Sequence, residues 1–150
     1  MNQLTITRTT INTYQPIVPL FDAYRQLYGK PADLEGARNF LAERTARSES
    51  VLFLASEGDH AVGFAQLYPS FSSLSMKRTW VLNDLFVSES ARGRGIGTAL
   101  LRECERLAVE TGAAGLALET MKGNLTPQRL YESRRWKRDD VFFRYNLFFE

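Results

Sequence analysis

The sequence predicts a single α/β domain, residues 1–150, built as a mixed sheet with flanking helices. Three observations carry that prediction. Apolar runs of strand length alternate with amphipathic stretches of helical period, in the order strand, two helices, hairpin, strand, helix, strand, helix, strand. An apolar strand, Val81 to Val87, runs through Ser88-Glu89-Ser90 into Arg92-Gly93-Arg94-Gly95-Ile96-Gly97 and at once into a long helix. A further strand follows that helix, which makes a βαβ unit whose two strands are expected to be parallel.

Taken in order, Leu4 to Arg8 alternates apolar and polar residues and reads as a half-buried first strand. Between Ile11 and Tyr28, residues Ile17, Leu20, Phe21, Tyr24, Leu27 and Tyr28 recur at helical spacing; Pro16 and Pro19 make a late start the expectation. Gly29-Lys30-Pro31 ends this helix. A second, from Asp33 to Ala46, presents Leu34, Ala37, Arg38, Leu41 and Thr45 on one side. Val51 to Ser56 and Ala61 to Tyr68 flank the turn Glu57-Gly58-Asp59-His60 and form an antiparallel hairpin. A polar stretch, Pro69 to Lys77, leads to the central strand, which begins near Thr79.

In the helix after the glycines, Ile96, Leu100, Leu101, Cys104, Leu107 and Ala108 form the packing face. Arg102, Glu103, Glu105, Arg106 and Glu110 form the solvated one. Gly112-Ala113-Ala114-Gly115 caps it, and Leu116 to Thr120 is the next strand. Asn124-Leu125-Thr126-Pro127 opens a last helix, and Val141 to Phe149, rich in Phe and Tyr, closes the chain as a final strand.

Composition narrows the function. A hydrophobic fraction of 44% and a charged fraction of 24% are those of an ordinary globular protein. One cysteine excludes an internal disulfide, and one cysteine with one histidine leaves no His/Cys metal cluster, so no metal is expected. Cys104 reads as core and His60 as an exposed turn residue. The net charge of +2 is too mild to argue for nucleic acid, and Arg129, Arg134, Arg135, Lys137 and Arg138 read as a solvated helix end. No apolar run is long enough to span a bilayer, and the first residues lack a signal-peptide core, so no membrane partner and a cytoplasmic location are the expectations.

The glycine turn points to a phosphate. Glycines at the first turn of a helix leave free N–H groups at its positive end and let a diphosphate approach the backbone. A P-loop needs a lysine after its glycines, and none occurs between Lys77 and Lys122. A Rossmann fingerprint needs Gly or Ala where Thr98 stands, and too little chain follows for the remaining strands.

Arg92-Gly93-Arg94-Gly95-Ile96-Gly97 resembles the Arg/Gln-x-x-Gly-x-Gly/Ala signature of the GNAT family of N-acetyltransferases. Asn83-Asp84-Leu85-Phe86-Val87 resembles that family's preceding strand, and Asn124 with Leu130-Tyr131-Glu132 its last-helix motif. Arg135-Trp136 departs from the Gly-Phe often found there. The resemblance implies a GNAT-like fold, acetyl-CoA as co-substrate and a primary amine as acceptor: a small polyamine-like molecule or a lysine side chain. It also implies pyrophosphate binding by the backbone from Arg92 through Gly93, Arg94, Gly95, Ile96 and Gly97 to Thr98, and pairing of the pantetheine arm with the backbone of Leu85, Phe86 and Val87.

For catalysis the resemblance makes a backbone N–H near Leu85 or Phe86 the oxyanion donor and Tyr131 the acid, the alternative for Tyr131 being an aromatic anchor. Asp84, a carboxylate in an apolar strand, is either a base that meets the substrate amine or a water relay, or the holder of a structural hydrogen bond. Glu119 is a second base candidate. Asn124 braces the coenzyme or caps the last helix. Phe21, Tyr24 and Tyr28 either line an acceptor site or form a core stripe. The aromatic final strand suggests a homodimer. The rival functions are a non-catalytic acyl-CoA sensor and a nucleotide-binding regulatory module.

Overall fold

The computed structural model describes residues 3–149, which divide into two compact units, one ending at Glu119 and one beginning at Thr120. The first holds strands β1 (Leu4–Arg8), β2 (Val51–Glu57), β3 (His60–Ser72), β4 (Lys77–Val87) and β5 (Leu116–Leu118). Its helices are α1 (Ile17–Leu27), α2 (Leu34–Ala46) and α3 (Ile96–Glu110). The second holds α4 (Leu125–Ser133).

The five strands form one sheet in the order β1-β2-β3-β4-β5. The first three pairings are antiparallel and β4–β5 is parallel, as the strand-helix-strand order requires. Inner strands β2 and β3 are buried on both faces, which is why they read as continuous apolar runs instead of alternating ones. One face packs on α1 and α2: Ile17, Val18, Phe21, Leu41, Leu54 and Phe64 share that core. The other packs on α3, whose stripe Ile96, Leu100, Leu101, Cys104, Leu107 and Ala108 is buried as its spacing predicts.

Helix α1 starts at Ile17, with Pro16 at its N-cap and Pro19 in the first turn, where missing N–H groups cost nothing. Asp33 caps α2: its Oδ1 accepts from the Gly36 N–H at 2.9 Å. All four helices end in the same hydrogen-bonded reversal, with a left-handed residue just beyond the cap. Gly29 and Gly112 fill that place after α1 and α3, and Ser48 and Arg135 after α2 and α4. At the end of α4, the Trp136 N–H donates to the Tyr131 carbonyl and the Arg135 N–H to that of Glu132, both at 3.0 Å. Arg135 therefore does a glycine's work at φ 71°, which resolves the departure from Gly-Phe.

The structure corrects the sequence reading in three places. The polar stretch from Pro69 lies largely in the sheet: β3 runs to Ser72 and β4 begins at Lys77, two residues before Thr79, because serines pair in a ladder as readily as apolar residues once the hairpin sets the register. Strand β5 stops at Leu118, short of Thr120. Val141 to Phe149 joins no ladder among the described residues; its composition sets a propensity but supplies no partner.

Gly63 is where α3 meets the sheet. A Cβ there stands 2.8 Å from the Phe86 carbonyl oxygen and 3.3 Å from Leu100 Cδ1. Since the obstacle is backbone, Gly63→Ala is expected to destabilise the fold by about 1–3 kcal/mol, read from urea unfolding midpoints; an unchanged midpoint refutes the close approach.

Candidate active site

The site grows from one irregularity. On β3, Gln66 and Leu67 are consecutive; their partners on β4 are Asp84 and Leu82, so Asn83 is one residue too many. Such a bulge reverses the alternation of side chains along its strand. Phe86 and Asp84, paired with Phe64 and Gln66, face α1 and α2, whereas Leu82, paired with Leu67, faces α3. Without Asn83 as an extra residue, Asp84 and Leu82 would share a face.

The bulge also marks where β5 leaves off. Strand β5 pairs with Trp80, Val81 and Leu82 and goes no further. From Asn83 to Val87, β4 keeps β3 on one side and has no ladder on the other among the described residues. Leu85 and Val87 thus turn backbone groups toward an open edge, where Arg92 takes the Val87 carbonyl, while the Phe86 carbonyl lies against Gly63 of β3; the glycine turn begins where that edge ends.

In the turn, Gly93 and Gly95 both stand at φ 79°, a left-handed conformation that side chains disfavour, and no atom lies within 4 Å of where a Cβ would sit on either. Gly95 is the N-cap of α3, and the first intrahelical bond runs from the Ala99 N–H to the Gly95 carbonyl at 3.1 Å. The N–H groups of Ile96, Gly97 and Thr98 therefore have no partner within the helix and point out of its positive end. The two arginines are tied to the protein. Arg92 donates through Nε to the Val87 carbonyl at 3.0 Å and lies over the Phe86 ring; Arg94 bonds Glu57 at 2.8 Å. The turn therefore presents backbone, not arginine side chains, at the positive end of the helix.

Asp84 is 3% exposed. Gln66 Nε2 donates to its Oδ2 at 2.6 Å and Asn83 Nδ2 to its Oδ1 at 3.0 Å. The Tyr24 hydroxyl donates to the Asn83 carbonyl at 3.3 Å and also reaches the carboxylate. Burial pushes the Asp84 carboxyl above its ordinary value; the three donors pull it back without offsetting the burial. Tyr24 and Tyr68 are pushed well above the usual phenol range by burial and by Asp84, so both stay protonated.

Asp84 closes the buried end of a cleft of about 500 Å³ whose walls are Phe21, Tyr24, Tyr28, Phe40 and Tyr68. The aromatic stripe of α1 therefore serves twice: Phe21 is core, 7% exposed, and also lines the cleft with Tyr24 and half-exposed Tyr28. Phe40, stacked on Phe21 at 5.8 Å, and Tyr68 were not singled out by the sequence. Neither were Gln66 and Asp22. Asp22 is buried and accepts from the Asp33 N–H at 2.9 Å and from Gln26 at 3.2 Å, which ties α1 to the start of α2. Polar residues inside apolar runs were the available signal in both cases, and the same signal did single out Asp84.

Of the remaining candidates, Cys104 is core with its thiol pushed up to about 12 by burial, and His60 is exposed. Glu119 is exposed just after β5. In the second unit, Asn124 occupies the N-cap of α4 without a side-chain cap bond, and Gln128 Nε2 instead donates to the Met121 and Lys122 carbonyls. Tyr131 is half-buried on α4, its ring centroid 6.0 Å from that of Trp136.

The Asp84 shift has a measurable sign. The folded carboxyl holds its proton to higher pH than the unfolded one at about 3.8, so the folded state binds more protons in between and stability falls as pH rises through that window. Asp84→Asn removes this dependence. Its stability relative to the parent, from urea midpoints, is expected to rise as pH is raised from about 4, the unfolded value, through the higher folded one; a constant difference refutes the desolvated carboxylate.

Comparison with known proteins agrees with this geometry. The model of the acetyltransferase (GNAT) family matches residues 17–135. The uncharacterized N-acetyltransferase YhfO of Bacillus subtilis (strain 168) is 44% identical over 131 residues, covering 87% of this chain and 88% of the relative. The D-amino-acid N-acetyltransferase HPA3 of Saccharomyces cerevisiae (strain ATCC 204508 / S288c) is 29% identical over 102 residues, 68% of this chain and 63% of that protein. A crystal structure of a probable acetyltransferase superposes with a TM-score of 0.90 at 40% identity, over 97% of this chain and 98% of the other. The chain belongs to the GNAT family and is an N-acetyltransferase.

Proposed function

We propose that the protein transfers an acetyl group from acetyl-CoA to a primary amine of a small polyamine-like molecule or a lysine side chain, in the cytoplasm and as a homodimer. The observation that carries this reading is the open edge of β4 running straight into the glycine turn. The outward main-chain groups of the Leu85, Phe86 and Val87 segment fit the two amides of a pantetheine arm as an added strand would. The N–H groups from Arg92 to Thr98, at Gly93, Arg94, Gly95, Ile96 and Gly97, fit a pyrophosphate. Thioester and amine then meet at the mouth of the aromatic cleft.

Attack requires a neutral amine. Asp84, at the buried end of the cleft, takes the amine's proton directly or through a water, and its raised basicity suits it to that task. A backbone N–H at Leu85 or Phe86 donates to the thioester oxygen as negative charge builds there. Tyr131, matching the family's last-helix tyrosine, gives a proton to the departing thiolate; Asn124 braces the coenzyme. The aromatic walls suit a small amine, since a protonated amine is attracted to ring faces before it gives up its proton. The name of the yeast relative makes amino-acid amines a further class to include among the acceptors assayed.

The reading is tested by adding acetyl-CoA and a panel of polyamines, lysine peptides and amino acids and measuring thiol release; coenzyme binding with no release from any amine refutes it. Asp84→Asn and Tyr131→Phe are each expected to lower kcat by about a hundredfold or more, at the lower end of acid-base contributions; an unchanged rate removes that residue from its role. Gly97→Glu, checked for intact fold by circular dichroism, is expected to weaken coenzyme A binding at least about tenfold, or about 1.4 kcal/mol, in calorimetry.

A further inference from the structure

The aromatic cleft has a charged wall that the acetyl transfer described above does not use. Arg25, in the last turn of α1, and Lys30, in the connection from α1 to α2, both line it, while Asp84 closes its buried end. The two cations belong to one folded corner. The Lys30 N–H donates to the Arg25 carbonyl at 3.1 Å, and Arg25 Nη1 donates to the Pro31 carbonyl at 3.2 Å.

Arg25 is also fixed from behind. Asp22, 3% exposed, accepts from Arg25 Nη1 at 3.4 Å, and its own carboxylate is held by the Asp33 N–H at 2.9 Å and by Gln26 Nε2 at 3.2 Å. A buried carboxylate needs such partners, and this one places a guanidinium at the cleft. The bonds Arg25 makes among the described residues all run through Nη1, so Nε and Nη2 remain for a ligand. Lys30 is exposed and forms no ion pair among the described residues. Asp33, the other charge on this wall, accepts from the Gly36 N–H through Oδ1 at 2.9 Å and caps the positive end of α2, which offsets its charge.

A cleft with a carboxylate at its buried end and two cations on one wall is complementary to a molecule that carries both charges. We infer that the acceptor is an amino-carboxylate: a small molecule whose amine reaches Asp84 while its carboxylate is taken by Arg25 and Lys30. A guanidinium presents two parallel N–H groups to two carboxylate oxygens, and an ammonium adds a third bond at the same anion. Held at both ends, such a molecule has its amine oriented as well as bound. The rings of Tyr24 and Tyr28 cover its apolar body. The inference rests on the acetyl transfer proposed above and narrows its acceptor. Free lysine meets the requirement; a linear polyamine, which carries cations only, does not.

Matched acceptors in the thiol-release assay test it: lysine against cadaverine, and phenylalanine against phenethylamine, each pair differing by one carboxylate. The carboxylate-bearing member is expected to have a kcat/KM at least about tenfold higher, the worth of one hydrogen bond to a charged group. Equal or better use of the counterparts overturns the inference and spares the transfer, whereas no thiol from any amine overturns both. Lys30→Gln and Arg25→Gln are each expected to raise KM for the carboxylate-bearing member about tenfold, with kcat little changed and the counterparts' KM as before. Circular dichroism checks the fold of the Arg25 variant, because Arg25 is tied to buried Asp22; exposed Lys30 carries the test alone if that fold is lost. A KM that stays fixed for both members of a pair, or rises equally for both, overturns the inference. Lys30→Glu, which reverses the charge, is expected to shift preference from lysine toward cadaverine, a gain that lost packing does not produce; an unchanged ratio of the two overturns the role of Lys30 and with it the two-cation subsite.

Discussion

A single surplus residue in β4 sets up the site. Strands on either side of a normal ladder stay in step, and every second side chain returns to the same face. Asn83 breaks that step, so Leu82 goes to the α3 core while Asp84, two residues on, goes to the α1 and α2 side. The ladder to β5 ends at Leu82, so the same irregularity coincides with the release of β4's outer edge. One strand thereby holds the sheet together in its first half and offers a carboxylate on one side and bare peptide groups along its edge in the second. Bulges sit where a strand must be re-aimed, and here both consequences fall within five residues.

The partners of Asp84 explain how a buried acid keeps a usable basicity. An arginine beside it would hold the carboxylate firmly ionised and depress its affinity for protons. The structure supplies instead two side-chain amides and a phenol, all neutral donors. They satisfy the lone pairs that burial would otherwise leave exposed to an apolar wall, at a fraction of the electrostatic attraction of a full charge. Burial then decides the sign of the shift, and the carboxyl is raised. The tyrosines respond in the complementary direction: buried and with a carboxylate nearby, neither Tyr24 nor Tyr68 can ionise readily, so their hydroxyls remain donors and add no phenolate to the cleft.

How much of this was legible in the chain depends on whether the cause is local. The glycine turn, the stripe of α3 and the parallel crossover follow from spacing within about thirty residues, and each stands where the sequence puts it. Asp84 was legible as an anomaly in an apolar strand. The bulge was not, since only the pairing of β3 with β4 makes Asn83 superfluous, and register between strands is a relation that neither strand carries alone. Gln66 escaped for the same reason: its meaning lies in its cross-strand neighbour. Phe40 and Tyr68 stand on separate elements and become one wall with Phe21 only after α2 and β3 have packed. The aromatic tail fails in the opposite sense. Its strand pattern is plain in the sequence, yet it joins no ladder among the described residues.

The arginines of the glycine signature look, as letters, like the phosphate-binding charges, yet the fold gives them other work. Arg92 closes the exit of β4 by taking the Val87 carbonyl and covering Phe86. Arg94 reaches across to Glu57 at the end of β2, and Ile96 between the glycines is buried under the sheet. These contacts brace the turn from beneath. Bracing matters because unpaired N–H groups act as an anion site only if they are already aligned when the anion arrives; a loop that had to be ordered by the ligand would lose about 1–2 kcal/mol of its attraction for each residue fixed. The side chains at positions 92, 94 and 96 therefore hold the backbone still, and the glycines at 93, 95 and 97 keep it bare, so that the proposed recognition of a diphosphate falls to atoms that every residue possesses.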